Sequence, residues 1–131
     1  MYQIIEEVAP VNDFLRLREI TGLTPRTRQA AEIGLPNSLY GVHLRVDNEV
    51  VGMARIVGDG ALNFEIVDVA VAPQYQHKGY GTRLMECVMS YLDEHALESA
   101  YITLMADVPK LYENFGFTLS RPDSEGMFIT K

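Results

Sequence analysis

The sequence predicts a mixed α/β (α+β) fold, in which an antiparallel sheet is joined to helices. Three stretches with the alternation of strands, 40–46, 50–57 and 62–71, follow one another with only short turns between them. Strands spaced this closely favour an antiparallel meander. After residue 81 the apolar period changes from about two to about 3.6, and a second β-rich stretch, 101–105, follows that helix. A strand, a crossover helix and another strand predict one parallel, right-handed unit within the sheet.

Length and composition are those of one ordinary domain. The chain has 131 residues, of which 47% are hydrophobic and 22% are charged. No apolar stretch is long enough for a membrane span, and residues 1–10 lack the features of a signal peptide. The net charge of −7 argues against nucleic-acid binding and mildly favours a cationic partner. The single Cys87, on an apolar helix face, indicates a buried thiol in a reducing compartment, so we expect a cytoplasmic protein.

The first third of the chain is predicted to contain a strand and two helices. Residues 2–8 have the pattern of a strand, and Asn12 or Asp13 is expected to cap the first helix. Residues 24–25, Thr-Pro, are expected to start the second helix. The charged residues placed on this second helix, as a solvated face, are Arg26, Arg28 and Glu32.

The last third is predicted to contain a short helix and a hairpin. Asp107 is expected to cap the helix, with Pro109 in its first turn. Residues 117–120 and 127–130 are expected to pair as the two final strands, around a turn at 122–124.

A loop that contains two glycines joins the strand 62–71 to the long helix. The loop and the first helical turn read Gln76, His77, Lys78, Gly79, Tyr80, Gly81 and Thr82. Backbone N–H groups at the start of a helix have no internal partner, and the helix dipole adds positive potential there. Because Gly79 and Gly81 carry no side chain, these N–H groups can approach a phosphate or pyrophosphate. On its own, the loop is equally typical of a tight turn before a helix.

Two motifs in this region resemble those of the GNAT N-acetyltransferase family. The pattern Gln76-x-x-Gly79-x-Gly81, preceded by the apolar residues 69–71 and Pro73, resembles the family's acetyl-CoA signature. About thirty residues further on, residues 111–117, Leu-Tyr-Glu-Asn-Phe-Gly-Phe, are similar to the family's Leu-Tyr-x-x-x-Gly-Phe segment. The resemblance extends over roughly residues 46–130.

The resemblance implies a single N-acetyltransferase domain over residues 1–131, with a mixed, mostly antiparallel sheet of six to seven strands flanked by about four helices. Its activity would be the transfer of acetyl from acetyl-CoA to a primary amine of a small molecule or peptide, by direct attack. No metal, nucleic acid or membrane is expected to take part, and a homodimer is left open. The alternative is a noncatalytic acyl-CoA-binding sensor or regulatory module, which turnover with an amine panel would distinguish.

The resemblance also implies which residues contact the cofactor. They are Val69, Ala70, Val71, Gln76, His77, Lys78, Gly79, Tyr80, Gly81 and Thr82. The chain departs from the family at two positions. Met105 stands where many members have an asparagine that contacts the pantetheine arm, and Val108 replaces a small alanine.

The implied chemistry needs a base and an acid. An alkyl amine has a pKa of about 10.4, so removing its proton at neutral pH costs about 4.6 kcal/mol, and a general base would ease this step. By its spacing from Gly79, Glu65 falls where histone acetyltransferases of this superfamily carry a glutamate base. A solvated strand carboxylate is the other interpretation of Glu65. Tyr112 matches the tyrosine that the family commonly uses as the acid, and ring packing on the sheet is its alternative role.

Asp68 is the second candidate for the base, and a turn-side or capping role is its other interpretation. Under strict alternation it would share a face with Phe64 and Ile66, which places a charge among apolar residues. A β-bulge, which the family often has in this strand, would move its side chain to the other face.

Overall fold

A five-stranded sheet in the order β1-β2-β3-β4-β5 forms the centre of the computed structural model, which describes residues 1–131. The strands are β1 (Tyr2–Ile5), β2 (Tyr40–Val46), β3 (Glu49–Gly58), β4 (Asn63–Val71) and β5 (Tyr101–Leu104). Neighbouring strands are antiparallel except for β4 and β5, which are parallel. The expected mixed, mostly antiparallel sheet is therefore confirmed.

Four α-helices flank the sheet, as expected. They are α1 (Val11–Ile20), α2 (Arg28–Gly34), α3 (Tyr80–His95) and α4 (Pro109–Glu113). α3 is the crossover between the parallel strands β4 and β5. None of these helices has both the length and the apolar character that crossing a lipid bilayer requires.

The hydrophobic core lies on both faces of the sheet. α3 packs on β2, β3 and β4, where a Cβ on Gly52 would lie 3.1 Å from Leu84. α1 packs on β3 and β4 from the opposite side, where its Phe14 lies under the guanidinium of Arg55. The largest fully buried side chains are Phe64, Leu17, Leu44, Ile56, Leu84, Met85 and Leu92. Burial of each stabilises the fold by about 1.5–3 kcal/mol, which fixes β3 and β4 between two helical layers.

The first strand and helix differ from the sequence-based boundaries. β1 ends at Ile5 rather than at residue 8, because the chain bends at Glu6. α1 begins after Pro10, and no side chain caps it, so neither Asn12 nor Asp13 has the expected capping role. Proline suits this position because its fixed φ is compatible with the entry to a helix.

The second helix starts later than residues 24–25 suggested. The hydroxyl of Thr27 accepts a hydrogen bond from Ala30 N–H at 3.1 Å, so Thr27 is the cap and α2 starts at Arg28. Arg26 therefore lies in the loop before the helix rather than on it.

The predicted C-terminal hairpin is wrong, and the sheet has five strands rather than six to seven. Ser124 N–H donates to Ser120 O at 2.9 Å across the turn, but the two arms form no ladder beyond that bond. Residues 117–131 therefore contain no strand. The Asp107 cap is also wrong, because Val108 occupies the N-cap of α4 and no side chain bonds to that helix start.

Candidate active site at the carboxyl ends of β4 and β5

A gap opens between the two parallel strands because β5 is shorter than β4. The last pair between them joins Ile66 and Leu104, whereas β4 continues to Val71. On its other side β4 remains paired with β3, through Val71 and Gly52. The segment 67–71 of β4 thus has one unpaired edge, and an extended ligand can form backbone hydrogen bonds there.

A β-bulge lies in this open segment of β4. Val67 pairs with Arg55 and Ala70 pairs with Met53, so the pairing shifts between these two positions. Asp68 has a φ of 58°, in the left-handed region. The bulge brings Asp68 to the sheet face that carries Arg55, away from the face it would occupy under strict alternation.

Two arginines hold the Asp68 carboxylate. Arg55 Nε donates to Oδ2 at 2.6 Å, and Arg18 Nη1 donates to Oδ1. The side chains of Asp68 and Arg18 are only 6% and 5% exposed. Arg18 Nε also donates to Thr24 O at 2.7 Å. Both carboxylate oxygens are thus engaged in charge-assisted hydrogen bonds.

Sequence reasoning did not identify these two arginines, although signals for both exist. Arg18 follows Phe14 by four residues, which places it on the buried face of α1. Arg55 interrupts a run of apolar residues in β3. Burial lowers the pKa of the Arg18 guanidinium; Asp68 opposes this shift, whereas the charges of Arg26 and Arg55 add to it. The cluster therefore has more positive than negative charge.

Glu65 lies on the same face of β4 as Asp68, but its carboxylate has no hydrogen-bond partner. It pairs with Val57 on one side and with Thr103 on the other, within the fully paired part of the strand. Its side chain is partly exposed, and its carboxylate makes no hydrogen bond within the chain. Val69 lies four positions further along β4, a distance of about 13 Å in a regular strand.

The loop before α3 presents a set of free backbone donors. Gly79 has a φ of 85° and His77 a φ of 63°, so the chain turns twice before the helix. The N–H groups of residues 77–82 donate no hydrogen bond within the chain; the first helical bond runs from Arg83 N–H to Gly79 O. Both the positive helix end and the free N–H groups favour an anion at this loop.

The Gln76 side chain fixes this loop to the open strand. Its Nε2 donates to Val71 O at 2.9 Å. The amide-rich loop and the unpaired edge of β4 are therefore held next to each other. Lys78 is exposed beside the same N–H groups and adds positive charge there.

α4 places the second motif, residues 111–117, next to the loop before α3. A Cβ on Gly81 would lie 3.9 Å from Leu111 Cδ2, so α4 adjoins the first turn of α3. The next residue, Tyr112, is 9% exposed, and its ring meets that of Phe117 edge-on at 6.4 Å. Burial raises the pKa of the Tyr112 hydroxyl, and the charge of Asp107 raises it further. The phenol is therefore protonated at neutral pH.

The residues that depart from the family pattern lie at the end of β5. Met105 directly follows the strand, and Val108 precedes α4; each is 60% exposed. Neither side chain makes a hydrogen bond, so neither reproduces the polar contact of an asparagine.

The mixed sheet, the donor-rich loop before α3 and the second motif beside that loop agree with the acetyltransferase resemblance seen in the sequence. The acetyltransferase (GNAT) family matches residues 6–117, and the chain belongs to this family. The expected family, fold and enzyme class are thus confirmed.

Solved structures of bacterial proteins are similar over the whole chain. A protein of Meticillin-resistant Staphylococcus aureus, described as a probable acetyltransferase, is 43% identical, with a TM-score of 0.96 and 100% coverage of both chains. A GNAT-family acetyltransferase from Streptococcus pneumoniae is 27% identical, with a TM-score of 0.80 and coverage of 100% of this chain and 98% of the other.

Curated plant relatives match over part of their length. The histone acetyltransferase TAP1 of Glycine max is 40% identical over 116 residues, which are 85% of this chain and 49% of the relative. The chloroplastic GCN5-related N-acetyltransferase 2 of Arabidopsis thaliana is 33% identical over 63% of this chain and 32% of the relative. The chain thus spans between a third and a half of the length of these two relatives.

Proposed function

We propose that this chain transfers the acetyl group of acetyl-CoA to a primary amine of a small molecule or peptide by direct attack. The proposal rests on two neighbouring regions whose backbone groups have no hydrogen-bond partner. The free N–H groups of residues 77–82 suit the pyrophosphate of CoA, and the unpaired edge of β4 suits its amide-containing pantetheine arm. Their connection through Gln76 allows one elongated ligand to occupy both.

The cofactor contacts are mainly those of the backbone. Because successive residues of a strand direct their backbone groups to opposite edges, Val69 and Val71 offer theirs to the pantetheine in the manner of an added strand. Ala70 lies between them, with its side chain buried and its backbone paired with Met53 of β3, so we propose no hydrogen bond from it. Gly79 provides the left-handed turn, and Lys78 places a cation near the phosphates.

Glu65 is the general base in this proposal. The amine nitrogen loses its proton to the Glu65 carboxylate, directly or through water, and attacks the carbonyl carbon of the thioester. Its free carboxylate favours it over Asp68, whose two oxygens already accept hydrogen bonds from arginines. We assign Asp68 the role of holding Arg18 and Arg55 in place.

Tyr112 is the general acid. As the C–N bond forms, the C–S bond breaks, and the departing thiolate takes the phenolic proton of Tyr112. The second proton that the nitrogen loses as the amide forms returns Tyr112 to the phenol, through solvent. A thiol pKa of about 8.5 makes the thiolate a fair leaving group at neutral pH, so this assistance is moderate. The position of Tyr112 beside the first turn of α3 supports the assignment.

A noncatalytic acyl-CoA sensor would use the same loop and strand edge. The free carboxylate of Glu65 and the protonated hydroxyl of Tyr112 favour the enzyme instead. For location we propose a reducing compartment such as the cytoplasm, because Cys87 is free and buried.

Incubation of the purified chain with acetyl-CoA and a panel of amines tests the proposal. We expect free CoA thiol to be released in step with one acetyl mass added to an amine. Binding of CoA without release of thiol by any amine would support the sensor, and absence of CoA binding would contradict both readings.

A further inference from the structure

A small cavity lies between α1, α2 and the sheet, on the face that carries Glu65. Its volume is about 110 Å³. Phe14, Ala31 and Leu35 form apolar walls, and its charged lining consists of Arg26 and Arg55 alone. No acidic side chain lines this cavity. A pocket with apolar walls and a few convergent polar groups is the usual form of a small-molecule site.

The arginines at this cavity have donors without partners. Arg55 gives its Nε to Asp68 and its Nη1 to Ser38 at 3.1 Å, which leaves Nη2 free. Arg26 makes no hydrogen bond or ion pair within the chain. Guanidinium donors suit carboxylate and phosphate oxygens, often two at a time.

The local charge is opposite to that of the whole chain. Arg18, Arg26 and Arg55 face one another around a single carboxylate, Asp68, in a chain of net charge −7. Three positive charges against one leave a local excess that an anionic group would neutralise. Nothing in the packing of the fold requires Arg26, which is exposed and lies outside α2.

We propose that the acceptor is an amine that also carries an anionic group, a carboxylate or a phosphate, which Arg26 and Arg55 bind in this cavity. The inference rests on the proposed acetyl transfer. Because the cavity and Glu65 share one face of the sheet, a bound anionic group would leave the amine of the same molecule near β4.

Matched amines test the anionic requirement and its chemical source. β-Alanine is compared with propylamine, and phosphoethanolamine with ethanolamine. We expect at least one anionic member to be acetylated with a kcat/KM about tenfold or more above that of its neutral partner, as for a charge-assisted hydrogen bond. Preference within the first pair indicates a carboxylate, and preference within the second a phosphate. Equal or better use of both neutral amines would overturn the inference while leaving the proposed acetyl transfer intact.

Two arginine variants separate the cavity from general charge effects. Arg26→Gln should raise KM for the preferred anionic amine about tenfold, with kcat and the neutral amine little changed. Arg28→Gln is the control, because Arg28 lies outside the cavity and is engaged with Asn12. Binding of the same amine pairs, followed by NMR without acetyl-CoA, gives a readout that does not depend on turnover. Equal effects of the two variants, or binding that ignores the anionic group, would contradict the proposal.

Discussion

The hydroxyl of Tyr112 is the single atom group on which the proposed acid step depends. Tyr112→Phe keeps the buried ring and removes only the proton donor, so turnover should fall about ten- to a thousandfold with CoA affinity nearly unchanged. The measurement is steady-state kinetics together with CoA titration. Tyr101→Phe, which removes an exposed hydroxyl, is the control. Parent-like turnover of Tyr112→Phe would mean that solvent protonates the thiolate.

Gly79 allows a test of the phosphate loop that corrects for backbone strain. Gly79 and Gly22 have φ values of 85° and 80°, and a Cβ at either meets nothing within 4 Å. Valine should therefore strain both turns similarly, by about 1–3 kcal/mol. We expect CoA affinity, measured by calorimetry, to fall at least about tenfold in Gly79→Val and little in Gly22→Val. An equal effect in both variants would assign the loss to strain.

Replacement of the two carboxylates of β4 by amides should affect different properties: stability at Asp68 and turnover at Glu65. Asp68→Asn leaves Arg18 and Arg55 without a counter-charge, which costs about 3–5 kcal/mol of unfolding free energy for a buried pair. Glu65→Gln removes a free carboxylate, so stability should change by less than about 0.5 kcal/mol, while turnover falls. Urea unfolding and kinetics of both variants check this. If Asp68→Asn unfolds like the parent, the ion pairs are not structural.

The raised pKa of the Tyr40 hydroxyl is expected to make the stability of the fold depend on pH in the alkaline range. Burial raises the pKa of its hydroxyl, and the hydrogen bond to Glu6 at 2.7 Å raises it further. Since an unfolded tyrosine ionises near pH 10, the unfolded state loses its proton first, and the unfolding free energy should decline as pH rises above about 10. Denaturant titrations at pH 9 to 11 should show a shallower decline for Tyr40→Phe. Equal slopes for both proteins would refute this role.

At the level of elements, local sequence signals were sufficient to place a helix or strand where the backbone conformation restricts the residue type. Gly79 marks the start of α3, and the β-rich runs mark β2 to β4, because a positive φ or a buried strand restricts the choice of residue. The bulge at Asp68 was foreseen only through the family resemblance, since alternation alone puts that charge on the wrong face. Which carboxylate is free depended on Arg18, fifty residues away, and no local pattern encodes that contact.

The same limit applies to the ends of elements. Thr24 and Thr27 are both plausible caps, and only the hydrogen bond from Ala30 decides between them. The final hairpin had acceptable strand residues, but strand pairing needs an available edge and a path to reach it. In this chain the segment after Ser124 forms no ladder with residues 117–120, so propensity alone gave the wrong strand count.

At the level of the whole molecule, the proposed cofactor and acceptor sites lie on different sides of β4, one at its edge and one on a face. In the proposed function, the cofactor takes the edge opened by the early end of β5, next to the loop before α3. We propose that the acceptor takes the face under α1 and α2, where the arginine-lined cavity and Glu65 lie. The bulge at Asp68 stands between these two regions, and its ion pairs tie α1 to the sheet.

The central claim is that the loop N–H groups and the open edge of β4 together hold CoA. Titration of the isotopically labelled chain with CoA, followed by amide NMR, tests this most directly. We predict the largest shifts at the amides of residues 77–82 and 69–71, with residues of α2 unaffected. Saturable binding that leaves both of these segments unshifted, or no binding at all, would contradict the account.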